Sequence, residues 1–213
     1  MNLRTVCLAA VIGILLAGCS PFAGAPEPEY YRLRYEKETR QCASAFSSEV
    51  RAWRFTAAEP FEQRRMVLWD RDRTVRFSES GQWVAAPASM LTEQIRRDLS
   101  ESGLFAGTAG DFDSGPVSLE LSGRIRRFVA RPCESGYRAL LGVSVELKER
   151  GTGENPLLQK SYSLESDCFP AGKASEFAEA MSRLASEFSD RLQSDLCRIA
   201  GERASVGEEA ARD

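Results

Sequence analysis

The sequence predicts a single α+β domain, in which a mostly antiparallel or mixed sheet carries two helices on one face. Three observations lead to this prediction. Apolar and polar residues alternate in several short runs, which is typical of strands with one buried face. Two longer segments repeat apolar residues every three or four positions, which is typical of amphipathic helices. The chain has 213 residues, of which 43% are hydrophobic, and this is enough for one domain with a substantial core.

Short strands are predicted in the first half of the chain. The best defined is Tyr31–Tyr35, where apolar and polar residues alternate. The charged segment 70–73 is expected to turn the chain, and residues 78–82 are expected to turn it again before Trp83. The strands of this half are predicted at residues 31–35, 50–55, 65–69 and 75–77.

A helix is predicted to begin at Pro87 and to end at Gly103. Proline suits a first helical turn because its missing N–H is not needed there. Glycine is typical of the residue that ends a helix, so Leu104 and Phe105 are expected to pack back on the domain. A loop of small and acidic residues follows at 107–115. The apolar face of this helix is formed by Leu91, Ile95 and Leu99.

A three-strand meander is predicted in the second half of the chain. Gly123 occupies one of the inward positions of its first strand. Phe128 falls out of phase with that strand, which predicts a β-bulge near Arg126 and Arg127. The apolar alternations of the three strands run over Val117–Ile125, Ala139–Leu147 and Leu158–Leu164.

A long helix is predicted to close the domain. Apolar residues recur at steps of three and four from Phe177 to Ile199, and such a stripe belongs to a core more often than to a groove for a partner. Beyond Gly201 the chain has little to bury, so residues 201–213 are predicted to be a disordered tail.

The N-terminus has the layout of a bacterial lipoprotein signal peptide. Arg4 precedes an apolar run that ends in Leu16-Ala17-Gly18-Cys19, where small residues suit the peptidase and the thiol accepts a diacylglycerol. A transmembrane helix is one alternative, but the run is shorter than the about 20 residues that a bilayer core needs. An ordinary secretory signal is another, but it requires no cysteine at this place. We therefore expect lipidation of Cys19.

This signal divides the chain into four parts. Residues 1–18 form the signal peptide, residues 19–29 a lipidated tether rich in proline and small residues, residues 30–200 the folded domain, and residues 201–213 the tail. Ser20 follows the lipobox cysteine, whereas enteric-type sorting retains lipoproteins with aspartate at this position in the inner membrane. The expected location is therefore the periplasmic face of the outer membrane.

The composition excludes several classes of function. The chain has no histidine, which excludes Ser-His-Asp and Cys-His catalysis and histidine-containing zinc sites. The chain has a net charge of −3 and carries many charged residues of both signs. This gives no electrostatic case for a nucleic-acid partner. There is no G-x-x-x-x-G-K-[ST] loop for a nucleotide phosphate. We expect neither a cofactor nor a metal.

Four cysteines remain once Cys7 has left with the signal peptide and Cys19 carries lipid. An even number in an oxidising compartment predicts two disulfides. The first and third strands of an antiparallel meander end at the same edge, which favours one pair, and the other two cysteines then form the second. Three connectivities remain open, and the long spacings disfavour a metal site or a redox dithiol. The favoured pairs are Cys133–Cys168 and Cys42–Cys197.

Several stretches of the chain resemble one known family. They are the lipobox, Tyr30-Tyr31-Arg32-Leu33, Arg64–Trp69, Gly81-Gln82-Trp83 and the helix block Met90–Phe105. The family is that of the ABC-type transport auxiliary lipoproteins (PqiC-like), and the order of elements also resembles it over most of the chain after the signal. The four cysteines and the short strand at 75–77 depart from the pattern of the family.

The resemblance implies a role outside catalysis. Such lipoproteins are outer-membrane partners of systems in which an inner-membrane ABC permease and its ATPase work with MCE-domain proteins to move lipid between membranes. The expected partners are therefore a membrane, through the N-terminal lipid, together with an MCE-domain protein and the ABC permease and ATPase. Trp83 is a candidate contact residue, although its place before a helix favours the core.

Three other functions are alternatives to docking. In the first alternative, the domain is a carrier that binds lipid directly. In the second, it is an envelope-integrity lipoprotein that is not tied to an ABC transporter. An enzyme is the third, since acid pairs occur at Asp70 and Asp72 and at Asp111 and Asp113. Both pairs lie in loops rich in solvated charge, which is a poor setting for acid–base catalysis. We expect no enzymatic activity.

Overall fold

The computed structural model describes residues 27–36, 41–70, 74–115, 117–151 and 155–210, the last five of these by their backbone. Over this part of the chain, nine strands and two helices form an α+β fold, which confirms the predicted fold class. The elements are β1 Glu29–Tyr31, β2 Val50–Ala52, β3 Thr56–Ala57, β4 Arg65–Trp69, β5 Val75–Trp83, α1 Pro87–Glu101, β6 Thr108–Ala109, β7 Leu119–Cys133, β8 Gly136–Glu149, β9 Leu158–Glu165 and α2 Ala174–Ala210.

The long strand β7 is the centre of a mixed sheet. On one side it pairs antiparallel with β8, which pairs antiparallel with β9. On the other side the short strands β2, β3 and β4 pair with it in succession, all parallel. Strand β5 continues the sheet antiparallel to β4, and β1 lies parallel to β5. The second half is thus the predicted meander, and the first half adds strands to its open edge.

The predicted bulge in β7 is confirmed, since the register with β8 shifts between Ile125 and Arg127. Before the shift Ile125 pairs with Val143, and after it Phe128 pairs with Leu141. The extra residue returns Phe128 to the apolar face. That face and the apolar stripe of α2 form one buried core.

Helix α1 begins and ends as predicted. Pro87 stands in its first turn, and Gly103 follows it with φ of +63°. This left-handed conformation is favourable for glycine. Leu104 and Phe105 are buried after the turn, and Phe105 stacks on Phe46 with ring centroids 5.0 Å apart.

The prediction of a disordered tail from Gly201 is wrong over the described residues, because α2 continues to Ala210. Alanine, glutamate and arginine favour a helix even where little is buried. Arg198 also pairs with Glu202 one turn later at 2.7 Å, and Arg203 reaches Glu149 of β8. Residues 211–213 lie outside the described residues.

The predicted strand at 31–35 is also wrong, since β1 ends at Tyr31. Tyr31 pairs with Trp83, the last residue of β5, so no strand backbone remains beside the residues that follow. The backbone N–H of Arg34 instead donates to Ser182 of α2 at 3.2 Å. Alternation of burial persists nevertheless, with Leu33 and Tyr35 buried.

The segment 50–55 does not form one strand, because β2 ends at Ala52 and β3 begins only at Thr56. The backbone N–H of Phe55 donates to Oγ1 of Thr92 in α1 at 2.9 Å, which removes it from the ladder. Residues 108–109 of the expected loop form β6 beside β2.

The turn expected at 78–82 is wrong as well, since β5 continues from Val75 to Trp83. Strand β1 pairs with the end of this segment, from Gly81 to Trp83. On the other side the register with β4 shifts, so that Phe77 pairs with Val67 and Gln82 with Arg65. The strand at 75–77 is therefore not short, because it is the first part of β5. The charged turn predicted at 70–73 lies mostly outside the described residues.

Trp83 is a core residue, so its candidate role as a contact residue is wrong. Its side chain is 0% exposed, and its ring meets Phe128 of β7 and Phe177 of α2 edge-on at 5.3 and 5.5 Å. Burial of this ring joins β5, β7 and α2, and it leaves no surface for a partner.

Candidate functional site

The lipidation site lies outside the described residues, as do the signal peptide 1–18 and the first part of the tether. The structure shows where the chain enters the domain. Strand β1 runs parallel to β5, with Glu29 beside Gly81 and Tyr31 beside Trp83. The chain therefore enters β1 from the end of the sheet that carries the β4–β5 hairpin.

The four remaining cysteines form two pairs in the structure. Cys42 pairs with Cys197, with Cα atoms 5.5 Å apart, and Cys133 pairs with Cys168, with Cα atoms 6.3 Å apart. These are the two pairs that the sequence favoured. The first ties the segment after β1 to α2, and the second ties the ends of β7 and β9. The second pair lies at the end of the sheet from which the chain enters.

The face of the sheet opposite the helices is polar and rich in arginine. Apart from the bulge at Arg126, the pairing of β7, β8 and β9 places alternate residues of these strands on this face. Its charged side chains on β7 to β9 are Arg124, Arg126, Arg127, Arg131, Arg138 and Lys148 among the cations and Glu120, Glu146 and Glu165 among the acids. An acidic chain therefore presents a locally basic sheet face.

Serines fix two of these arginines across the strands. Arg126, the bulge residue, donates from Nε to Oγ of Ser144 at 2.6 Å. Arg127 donates from Nη2 to Oγ of Ser163 at 2.6 Å, and its side chain passes over Gly142. A Cβ at position 142 would lie 3.1 Å from Nε of Arg127. The absence of a side chain at Gly142 therefore lets Arg127 lie flat on the sheet.

A shared carboxylate holds two further arginines together. Arg131 and Arg138 stand directly opposite each other on β7 and β8. Both reach Oε2 of Glu165 on β9, at 3.0 and 3.3 Å. Without this carboxylate the two guanidinium groups would repel each other. All three side chains are partly exposed, so solvent screens much of the pairing.

A groove of about 750 Å³ opens on the same face, at the end of the sheet from which the chain enters. The segment before β4 and the adjoining ends of β4 and β5 form its walls, and the end of β7 forms its floor. The lining residues are Glu59, Pro60, Phe61, Trp69, Asp70, Val75, Arg126, Arg131 and Pro132. Its volume lies within the about 300–1,000 Å³ that is usual for small-molecule sites.

The acid pairs weighed for catalysis are held in ion pairs and turns. Asp111 binds Arg96 at 2.6 Å, and Asp113 accepts the backbone N–H of Gly110 at 2.5 Å. Asp70 pairs with Arg76 at 3.1 Å, and Asp72 lies outside the described residues. These contacts fix the loops in which the acids lie. Over the described ranges, no three Cys, Asp or Glu side chains are grouped to hold a metal ion.

Neither the basic face nor the groove was predicted from the sequence. A signal was present, because the arginines of β7 occupy the positions between its buried residues. The groove left no such signal, since its walls come from three segments that are distant in sequence. Neither helix of the described chain combines the length and the apolar content that a bilayer crossing needs.

Comparison with known proteins places the fold. No protein-family model and no curated protein sequence matches the chain. Protein XCC0632 from Xanthomonas campestris, of the DUF330 family, superposes with a TM-score of 0.67 over 84% of this chain and 99% of its own. This chain shares the XCC0632 fold.

Two other solved structures are similar to the chain. An uncharacterized protein gives a TM-score of 0.58 at 14% identity, over 78% of this chain and 97% of its own. The hypothetical protein CT253 from Chlamydia trachomatis gives 0.48 at 10% identity, over 71% of this chain and 99% of its own. The identity to XCC0632 is also 14%, so the likeness concerns the fold.

Proposed function

We propose that this chain is a lipid-anchored protein of the bacterial envelope, and that it docks the periplasmic part of an MCE-type ABC transport system to the outer membrane. One observation carries the proposal, namely a lipobox cysteine, Cys19, shortly before a domain with the XCC0632 fold. The choice of an MCE-type transport system rests on the resemblance of the chain to the PqiC-like auxiliary lipoproteins.

Three physical features support an anchored docking role. Two disulfides suit an oxidising compartment outside the cytoplasm. Ten residues of chain lead from Cys19 to Glu29, which limits their separation to about 36 Å. The basic sheet face offers a partner several oriented guanidinium groups. An acidic surface on an MCE-domain protein or on the transporter would complement it.

The proposal is tested by capture from the envelope. A full-length chain with a C-terminal tag is expected to capture an MCE-domain protein together with the ABC permease and ATPase after mild cross-linking. Capture of peptidoglycan or a porin without these subunits would instead support the envelope-integrity alternative and contradict docking to a transporter.

The role of the anchor is tested with a chain that lacks Cys19 and with a control substitution at Cys7. Residues 20–213 behind an ordinary secretory signal give an exported chain without lipid, which is expected to fold but to leave the membrane fraction. Cys7→Ala changes a cysteine inside the signal and is expected to leave lipidation and capture unchanged. Full transport activity of the chain without lipid would overturn the docking role.

A further inference from the structure

The groove on the basic face combines apolar walls with charges of both signs. Its apolar side includes Phe61, Trp69 and Val75, and Val75 is 47% exposed although valine usually lies inside a fold. Arg126 and Arg131 lie on the strand that forms its floor. A water-soluble ion would leave the apolar wall unused, and a purely apolar molecule would desolvate the guanidinium groups without pairing them. The lining therefore suits an amphiphile.

Neighbouring side chains orient Arg126 and Arg131 but do not use all of their N–H donors. Arg126 binds Ser144 through Nε, so its terminal nitrogens are not used in that bond. Arg131 binds Glu165 through one terminal nitrogen at 3.0 Å. A guanidinium group carries five N–H donors, and a phosphate accepts them in pairs. Two such groups in one groove match a phosphate diester.

Two carboxylates on the opposite walls distinguish between classes of amphiphile. Glu59 lies on the segment before β4, and Asp70, paired with Arg76, directly follows β4. An anionic headgroup, such as that of phosphatidylglycerol, would place a net negative charge beside both carboxylates. A headgroup that carries an ammonium as well as a phosphate complements guanidinium and carboxylate together.

The position of the groove points to a membrane lipid as the source of this chemistry. The chain enters β1 from the hairpin end of the sheet, and Val75 lies six residues along β5 from Gly81, the partner of Glu29. The partners of Val75 and Gln82 on β4 are Trp69 and Arg65, four residues apart, which is roughly 13 Å of strand. The short tether therefore keeps the groove close to the bilayer surface, a step that rests on the lipid anchor of the proposed function.

We propose that this groove binds the headgroup and glycerol region of a zwitterionic phospholipid. The phosphate lies at Arg126 and Arg131, the ammonium lies toward Glu59, and the first methylenes of the chains lie against Trp69 and Val75. The domain then recognises single lipid molecules at the membrane that anchors it.

Photo-cross-linking in defined vesicles tests this site. The full mature lipidated chain, with p-benzoylphenylalanine at position 75, is reconstituted in vesicles of equal parts phosphatidylethanolamine and phosphatidylglycerol. The matched control carries the same group at Phe112, which is 93% exposed and lies outside the groove. We expect phosphatidylethanolamine adducts at least fivefold more abundant at position 75 than at 112, and at least threefold more abundant than phosphatidylglycerol adducts. Equal labelling at both positions, or an excess of phosphatidylglycerol, would overturn the proposal.

Arginine variants then test the phosphate contact. Arg126→Gln and Arg131→Gln, each in the chain with the cross-linker at position 75, are expected to lower the adduct yield at least fivefold. Arg124→Gln removes an arginine of the same strand face outside the groove, and it is expected to leave the yield unchanged. Because Arg131 also holds Glu165, melting curves accompany each variant, and Arg126→Gln decides the test if Arg131→Gln unfolds early. Unchanged labelling in folded Arg126→Gln would overturn the proposal.

The outcome separates this site from the docking function. Lipid adducts at position 75 in a chain that captures no transporter subunit would contradict docking and leave the lipid site standing. Capture of the transporter without a lipid adduct at position 75 would support docking and contradict the lipid site. A peptide adduct at position 75 in cells would assign the groove to a protein partner and overturn the lipid site.

Discussion

Phe55 lies directly against Gly123, so that a Cβ at position 123 would meet three carbons of its ring at 2.7 Å. The contact lies where the connection between β2 and β3 crosses the apolar face of β7. Phe55 is buried, and the next residue, Thr56, pairs with Arg124. Glycine therefore stands at an inward position of β7 because a neighbouring ring fills the space of a side chain.

Gly123→Ala is expected to destabilise the domain by about 1–3 kcal/mol, the usual cost of overpacking a core. Urea unfolding followed by circular dichroism measures the change. Ser122→Ala is the matched control, because its side chain lies on the other face of the same strand, and it is expected to change stability by less than about 0.5 kcal/mol. A second substitution, Phe55→Ala, removes the ring and is expected to abolish most of the penalty of Gly123→Ala. Independent effects of the two changes would contradict the contact.

Tyr35 and Ser189 both donate hydrogen bonds to Oδ2 of the buried Asp98, at 2.6 and 2.5 Å. The network joins the segment after β1 to α1 and α2. Tyr35→Phe removes one donor to a buried carboxylate and is expected to cost about 1–3 kcal/mol near neutral pH. Tyr30→Phe changes an exposed tyrosine and is expected to have no measurable effect. Equal stability of the two variants in urea would show that the hydrogen bond from Tyr35 to Asp98 contributes nothing.

Alkaline pH is expected to weaken the fold through two tyrosines. Burial, followed by the hydrogen bond to Asp98, raises the pKa of Tyr35 well above its ordinary value. Burial and the hydrogen bond to Asp195 raise the pKa of Tyr162 in the same way. A raised pKa in the folded state gives stability that is fully present below the unfolded value of about 10 and is lost as pH rises toward the folded value.

Unfolding free energies at pH 8 and pH 11 measure this loss. The wild-type chain is expected to lose stability between the two values. Tyr35→Phe and Tyr162→Phe are each expected to lose less over the same interval, although both start from a lower stability at pH 8. An identical loss in wild type and both variants would place the alkaline sensitivity elsewhere.

Alanine substitutions at two glycines near helix ends, Gly201 and Gly103, are expected to change the stability of the domain in opposite directions. A Cβ at position 201 meets nothing within 4 Å, so Gly201→Ala is expected to stabilise the helix by about 0.5–1 kcal/mol. Gly103 also has free space, but its φ of +63° disfavours alanine. Gly103→Ala is therefore expected to destabilise the domain. Thermal melts and helical circular dichroism measure both, and a neutral Gly201→Ala would indicate that the last turns are not helical in solution.

Elements that depend on contacts between residues close in sequence could be predicted, whereas elements that depend on contacts distant in sequence could not. Local periodicity was sufficient for the meander, for α1 and for the bulge at Arg126, because each depends on neighbours along the chain. It failed for the end of β5, where Gly81 and Gln82 lie in a strand that β1, distant in sequence, pairs beside. It failed for the groove as well, since Glu59, Trp69 and Arg131 meet only through the parallel pairing of β4 with β7. The tail was misjudged because low hydrophobicity was taken as disorder, although its residues favour a helix.

The two disulfides allow a last prediction, in which the length of the closed loop sets the size of the effect. Cys42 and Cys197 are 155 residues apart, whereas Cys133 and Cys168 are 35 apart. Restriction of the unfolded chain grows with the logarithm of loop length, so loss of the longer link is expected to cost about 1 kcal/mol more than loss of the shorter one. Urea unfolding of Cys42→Ser/Cys197→Ser and Cys133→Ser/Cys168→Ser measures the difference.

Peptide mapping without reduction checks the pairing on which this comparison depends. Recovery of a Cys42–Cys133 peptide would contradict both links at once. A larger loss on removal of the Cys133–Cys168 link would have another meaning. It would show that the contacts at the junction of β7 and β9, rather than chain entropy, determine what these bonds contribute, because the shorter loop restricts the unfolded chain less.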